Sequence, residues 1–409
     1  MTASLHDTVT QTLGRIAQSE GRILAWTRLL APAEQGEFEL RGPLAGVAVG
    51  VKDIIDTHDF ATERGSEVFR DRRPDLDAAI VSQLRRLGAV IVGKTVTTEF
   101  GMREPGPTTN PHDSRRTPGG SSSGSAAAVA AGHVSLAVGT QTGGSIIRPA
   151  GYCGVWAIKP TFGLIDRFGV QLHSSSIDTV GLFAESGEIL ARATGIVLGG
   201  DDRSGPEDQP RRFRFLRSRR DRHLDPADRE ALEAWLEVQR AAGNVEHDAA
   251  VPPFDEDALD DAHRVITRFE AARLLWGLYV DHHDEISEHV HEMVESGKRI
   301  TLAEYTNAQN SVEDIRAQTD AWLTDGPVLA PTARSVAPIG LSSTGSSEYC
   351  RAWTLLGNPC VSVPGLRGSA GMPFGIQAIG PRHWDRGTIS AARRLARLSF
   401  GDPETLDRG

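Results

Sequence analysis

Residues 119–161 read GGSSSGSAAAVAAGHVSLAVGTQTGGSIIRPAGYCGVWAIKPT. The stretch opens on a Gly/Ser run, and such a run is ordinarily a flexible linker. Here it leads straight into Ser125 to Gly132, which is small and apolar and predicts a tightly packed helix. A linker has no reason to do so, whereas a Gly/Ser loop at a helix N-terminus makes a polar cradle. Val134 to Gly139 then predicts a strand, followed by Gln141 to Ser145 with two glycines before the serine.

Working outward, residues 4–31 carry apolar side chains at helical spacing (Leu5, Val9, Leu13, Ile16) and predict a helix. Leu44 to Val51 predicts a buried strand, Ala78 to Leu87 an amphipathic helix, and Ala89 to Val92 a strand. Residues 101–125 are dense in Gly, Pro, Ser, Thr and Asn and predict loop. Residues 185–340 are more charged and more helical, with amphipathic stretches at Ala227 to Ala242 and Ala258 to His291. The 203–212 stretch predicts a polar loop. From Pro327 to Gly380 short apolar runs return, and Val361 to Pro364 and Phe374 to Ile379 predict strands of the same sheet. This order predicts an α/β fold: a single-domain α/β/α sandwich over residues 1–409, with a large mixed sheet covered by helices.

Composition narrows the function. The net charge is −10 and the arginines are interspersed with acids, so nucleic-acid binding has little support. The basic run Arg211 to Arg222 gives way at once to acids and is read as a solvated loop. No stretch approaches the roughly 20 apolar residues that span a membrane. The N-terminus has no apolar core of a secretion signal. The three cysteines, Cys153, Cys350 and Cys360, form no CxxC pair and suit a reducing compartment. A cytoplasmic protein is the expectation.

Several residues could carry chemistry. Gly143-Gly144-Ser145 lets the backbone turn sharply and leave N–H groups pointing at one place, which suits an oxyanion. The plainer reading is a Gly-rich turn. Lys52 closes the apolar run that begins at Leu44. Burial there would lower its pKa and supply a neutral amine as base, whereas the plainer reading is a salt bridge to Asp53 or Asp56. His133 and His173 have no evident carboxylate partner, although a Ser-His-Asp triad assembled from distant residues stays open. Gly88 to Thr95 matches the phosphate-binding pattern GxxxxGK[ST], but its interior, Ala-Val-Ile-Val, reads as a strand. His282, His283, His289 and His291 cluster with acids as a conceivable metal site, more simply a polar helix face. Trp276 and Tyr279 read as packing, with a chance that one lines a pocket. Cys153 reads as a core residue.

The stretch Gly119 to Thr161 strongly resembles the amidase signature family, and the 24-residue gap between Ser121 and Ser145 fits it. VKDIIDT (51–57), VGKTVTTEF (92–100), TNPH (109–112), IDTVG (177–181) and LLGNPCVSVPGLRGSAGMPFGIQAIGPR (355–382) are similar to the same family. The resemblance covers about residues 40–185 and 325–400, with 185–340 as a variable pocket or lid region. It implies that Lys52 is the base and Ser145 the nucleophile. It implies that Ser121 is the proton relay, preceded by a cis Gly120–Ser121 bond. The implied oxyanion hole is the backbone N–H groups of Thr142, Gly143, Gly144 and Ser145, with Gly119, Gly120, Ser122 and Arg148 in support. Gln141 stands where Asp is frequent, and Ile147-Arg148 where Arg then an apolar residue is usual. Ser123 and Ala157 each replace a glycine. None of these removes a catalytic atom.

What the resemblance implies is hydrolysis of a carbon–nitrogen bond in a small linear amide, a ureido compound or a carbamate. Water is the second substrate, and no metal or organic cofactor takes part. A homodimer is conceivable. The alternatives are an amide-transfer subunit or an inactive scaffold of a larger complex.

Overall fold

The computed structural model of the protein describes residues 5–31, 41–199 and 212–401. Among the described residues, ten strands form one sheet: β1 (Trp26–Leu29), β2 (Ala48–Lys52), β3 (Val90–Thr95), β4 (Leu136–Gln141), β5 (Trp156–Lys159), β6 (Thr179–Ala184), β7 (Arg214–Phe215), β8 (Val328–Pro331), β9 (Cys360–Val363) and β10 (Ile376–Ile379). Their spatial order is β1-β3-β2-β4-β6-β5-β9-β10-β8-β7. β2 runs parallel to β3 and β4, and β7 to β8, while the other pairs are antiparallel. The sheet is therefore mixed. Every residue of β2, β3, β4, β5, β6, β8, β9 and β10 is buried. Strands covered on both faces read as continuous apolar runs rather than alternating ones.

The helices, in chain order, are α1 (Leu5–Ile23), α2 (Ala79–Arg86), α3 (Ser123–Ala130), α4 (Ile147–Cys153), α5 (Gly187–Val197), α6 (Pro226–Ala241), α7 (Glu256–Leu274), α8 (Trp276–Asp281), α9 (Glu288–Lys298), α10 (Leu302–Trp322), α11 (Glu348–Leu355) and α12 (Asp385–Phe400). The α/β/α arrangement expected from the sequence is the one observed.

α3 explains the Gly/Ser run. Its residues Ser123 to Val129 are all buried. At Gly124 a Cβ would lie 2.2 Å from Ala25 O and 2.4 Å from Val96 N. Only glycine allows the helix to approach the sheet edge this closely. The helix begins at Ser123, so the predicted loop over residues 101–125 is shorter at its end.

Three boundaries differ from the sequence reading. The helix expected over residues 4–31 stops at Ile23, Leu24 takes a positive φ of 55°, and β1 follows. The Glu20 carboxylate accepts from the backbone N–H of Ala25 (3.0 Å) and Trp26 (2.9 Å), closing the helix end and starting the strand. The strand expected over Leu44 to Val51 begins at Ala48, after turns, and runs one residue further to Lys52. The amphipathic stretch Ala258 to His291 is broken into α7, α8, a 3-10 turn and α9. The break lets α9 fold back against α7, where a Cβ on Gly297 would lie 2.0 Å from Arg268 O. An apolar cluster of Phe100, Ala271, Leu275, Val290 and Val294 fixes this hairpin to the loop beside the sheet. Residues 203–211 of the predicted polar loop lie outside the described residues.

The GxxxxGK[ST] match is not a phosphate cradle. Val90 to Thr95 is strand β3, and the fully buried Lys94 Nζ donates to Ile55 O (2.7 Å) and Thr62 Oγ1 (2.5 Å). It also lies 3.3 Å from Asp53 Oδ1, which is equally buried. Removing one partner of a buried ion pair typically costs about 3–5 kcal/mol, because the other charge is left without compensation. Asp53→Ala is thus expected to lower the unfolding free energy in urea by that amount, and a loss below about 1 kcal/mol would contradict the assignment. Nucleotide titration is expected to show no binding.

Candidate active site

Lys52 ends β2, in the interior of the sheet between β3 and β4. Its side chain is fully buried, and Nζ donates to Ser121 Oγ (2.7 Å) and Thr140 Oγ1 (2.8 Å). Among the described residues no carboxylate lies within ion-pair distance of it. The two acids nearest in sequence are engaged elsewhere: Asp53 with Lys94, and Asp56 with Arg72 at 2.8 and 3.0 Å. Burial pushes the amine down to about 7, only partly opposed by the more distant Asp178.

Ser121 follows a cis Gly120–Ser121 peptide, as the resemblance implied. The Gly120 carbonyl accepts from the Arg148 guanidinium at 2.5 Å. Gly119 has a φ of 84°, and a Cβ there would meet Pro149 Cα at 2.9 Å, so the loop presses directly on α4. Ser122 Oγ bridges the Thr140 carbonyl (3.2 Å) and N–H (3.3 Å), tying this loop to β4.

The Ser145 loop is held through its carbonyls. Thr142 O accepts from His263 Nε2 (2.9 Å), Gly143 O from Thr354 Oγ1 (2.8 Å), Gly144 O from Arg148 N (3.0 Å) and Ser145 O from Ser122 N (3.4 Å). Each anchored carbonyl fixes the peptide plane whose other end is the next N–H. Among the described residues the N–H groups of Thr142, Gly143, Gly144 and Ser145 have no partner. Unpaired, fixed N–H groups beside a serine are what a developing oxyanion needs. Gln141, found where Asp is frequent, supports the same loop: Oε1 accepts from Ile146 N (2.7 Å) and Ile147 N (3.0 Å), and Nε2 donates to Thr354 Oγ1 (2.9 Å). Thr142 Oγ1 donates to Asp178, whose other oxygen accepts from His173 N (2.8 Å) and Ser174 N (3.0 Å).

Thr142, Gly143, Gly144, Ser145 and Arg148 all line one cavity of about 690 Å³. Other parts of its wall come from α7, with His263 and Thr267, and from the Ser342 to Ser347 loop. Sequence reading missed Thr140 and His263. Thr140 stood in plain sight, five residues before Ser145 in the quoted stretch. Nothing local marks His263, which lies 121 residues from its Thr142 partner.

The remaining candidates fall elsewhere. His133 is buried between Ser19 (2.7 Å) and the Trp26 indole N–H (3.1 Å). His263 Nε2 donates to the Thr142 carbonyl, and burial pushes the imidazole down to about 4. The four clustered histidines bond to separate partners: His282 to Glu285, His283 to Asp284, His289 to Glu104 and His291 to His283 O. Of the four, His289 lines the cavity. Trp276 and Tyr279 stack on each other under Lys298 and do not line it. Cys153, Cys350 and Cys360 are buried, and burial raises all three thiols, Cys350 and Cys360 to about 12. The native protein is therefore expected to resist aromatic disulfide reagents, all three thiols reacting only after unfolding. Fast native reaction of Cys153 would reopen a cysteine nucleophile.

Known proteins share this architecture. An amidase family model matches residues 8–389. A glutamyl-tRNA(Gln) amidotransferase subunit from Natronomonas pharaonis is 33% identical, covering 87% of this chain and 96% of that protein. Peptide amidase in complex with chymostatin superposes with a TM-score of 0.81 at 26% identity, covering 98% of this chain and 96% of that one. An inhibitor-bound chain from a vestigial complex, linked to the origins of an s-triazine catabolic enzyme, gives 0.85 at 28%, with 97% and 96% covered. Among the described residues no helix is long and apolar enough to cross a membrane. By its sequence motifs, its fold and the match over nearly its whole length, the chain belongs to the amidase signature family.

Proposed function

We propose that the protein hydrolyses the carbon–nitrogen bond of a small amide-type substrate through an acyl-enzyme on Ser145. The observation that carries this reading is the Lys52 amine: buried, without a carboxylate partner among the described residues, and 2.7 Å from Ser121 Oγ. Neutral Lys52 takes the Ser121 hydroxyl proton as Ser121 takes that of Ser145. The Ser145 oxygen attacks the carbonyl carbon. The resulting oxyanion is met by the N–H groups of Thr142 to Ser145. As the C–N bond breaks, Ser121 protonates the leaving amine and recovers its proton from Lys52. Water then attacks the acyl carbon by the same relay, releasing the acid and Ser145. Every proton that leaves a nucleophile reaches the amine or returns to it, so no metal is required.

Ser145→Ala is expected to lower turnover about 10,000-fold or more, read as amine release. The base must be neutral, so kcat/KM should rise about tenfold per pH unit below about 7 and level above it. Lys52→Ala should remove most of the rate together with that acid limb. An unchanged pH profile in the variant would rule out Lys52 as the base. Chelators should leave the rate intact.

His263 positions the Thr142–Gly143 peptide rather than touching substrate. His263→Phe should lower kcat by up to about 100-fold with little change in KM, and His263→Gln should recover much of it. Equal loss in both variants, or a pure KM effect, would argue against the positioning role.

A second reading draws on the amidotransferase relatives: a subunit that hands the released amine to a partner. Steady-state amine release by the isolated chain would favour the hydrolase. Dependence on an added partner would favour transfer.

A further inference from the structure

Thr140 lies in β4 and Thr142 directly follows it, so the two side chains share one face of the sheet. On that face Thr140 Oγ1 accepts from Lys52 Nζ (2.8 Å), and Thr142 Oγ1 donates to the Asp178 carboxylate. The antiparallel register explains the second contact. Thr140 pairs with Val180 and Gln141 with Thr179, which brings Thr142 level with Asp178. Lys52, Thr140, Thr142 and Asp178 thus form one polar row, from the buried amine to the loop that carries Ser145.

Asp178 is 4% exposed. Its side chain accepts from neutral donors: the Thr142 hydroxyl on one oxygen, His173 N (2.8 Å) and Ser174 N (3.0 Å) on the other. Among the described residues no cation lies within ion-pair distance of it. A neutral side chain could hold the same loop without the desolvation a carboxylate suffers there. The charge therefore calls for another purpose, and it is the one that reaches the Lys52 amine. The loop is also braced from behind. Glu270 of α7 accepts from Ser174 Oγ (2.6 Å) and Ser176 N (3.1 Å), and from the Tyr305 hydroxyl of α10 (2.7 Å).

We propose that Asp178 is the positioning residue and fixed counter-charge of the active site: through the Thr142 hydroxyl it orients the first peptide of the oxyanion loop, and its negative charge offsets the ammonium that Lys52 becomes while Ser145 attacks. Thr142 is gripped at its hydroxyl by Asp178 and at its carbonyl by His263 (2.9 Å), which fixes the Gly143 N–H beside it. A fixed anion beyond contact eases protonation of a buried amine without locking it in the charged form, as a direct ion pair would. Asp53 and Lys94 pair with each other on the opposite face. Around Asp178 stand Arg167, which donates to its backbone carbonyl (3.2 Å), His173 of its own loop, and Glu270 and His263 of α7, with Arg351 of α11 beside His263. His263, pushed down to about 4, stays neutral near pH 7.

This inference rests on Lys52 as the base, so one experiment reads both. It follows the rate at which a neutral fluorophosphonate labels Ser145, by mass spectrometry, across the pH range around 7. In wild type the rate should rise about tenfold per pH unit and level above about 7. Asp178→Asn preserves the bonds, since its oxygen can accept from the two N–H groups while its nitrogen donates to Thr142 Oγ1, but it removes the charge. Without the anion Lys52 gives up its proton at lower pH, so the bend should move about half a unit to one unit toward acid and the plateau fall about tenfold. Thr142→Val keeps the charge and cuts the link. Its plateau should fall about tenfold with the bend in place, and Thr142→Ser should recover most of that loss. An unmoved bend in Asp178→Asn overturns the counter-charge, and equal plateaus in Thr142→Val and Thr142→Ser overturn the positioning. If Asp178→Asn does not fold, Asp178→Ser, smaller and also neutral, reads the same shift. An acid limb that vanishes in Lys52→Ala but stays put in Asp178→Asn sinks the inference and leaves the base standing. A limb that survives Lys52→Ala, or vanishes in His173→Gln, takes the base role from Lys52 and the inference with it.

Discussion

The site depends on one uncompensated burial. An ammonium inside a sheet loses most of its hydration, and normally a carboxylate replaces it. Lys52 and Lys94 show both outcomes on neighbouring strands. In the parallel register Val51 lies beside Lys94 and Lys52 beside Thr95. Side chains alternate across a sheet, so the two lysines point to opposite faces. Asp53, one residue after Lys52, pairs with Lys94. Lys94 is thereby a structural cation, whereas Lys52 meets only the hydroxyls of Ser121 and Thr140, and burial pushes its amine down to about 7.

The Ser145 loop answers a complementary demand. Its carbonyls are occupied while its N–H groups have no partner among the described residues, and the anchors come from four places. Ser122 lies just ahead of α3, Arg148 in α4, His263 in α7 and Thr354 in α11. Two of these lie more than a hundred residues downstream. Helices α7 and α11 thus do more than enclose the site, since they orient the peptide planes next to Ser145. Gln141 shows how a departure from the common residue is absorbed. Its amide oxygen accepts two N–H bonds as a carboxylate would, and its amide nitrogen adds a donor that reaches Thr354.

The helical segment also shapes the cavity. α7 brings Asp260, His263 and Arg264 to the cavity, and its hairpin with α9 is pinned by Phe100. The wall it builds is polar and arginine-rich.

The sequence by itself determined the α/β class, five of the ten described strands (β2, β3, β4, β9 and β10), the packed small-residue helix and the glycines around Ser121 and Ser145. Those features follow from consecutive residues: apolar runs buried on both faces, and glycines where the backbone presses on a neighbour. It overran at residues 24–31, because a single Glu20 carboxylate ends the helix, and at 258–291, because a fold-back onto α7 interrupts a continuous apolar periodicity. It passed over β1, β5, β6, β7 and β8, none of them longer than six residues. The tertiary structure alone decided the burial of Lys52 away from any carboxylate partner, the orientation of the Ser145 loop and the excess of guanidinium in the cavity. Desolvation and counter-charge depend on what the distant chain packs around a group, and no local pattern of residues encodes that.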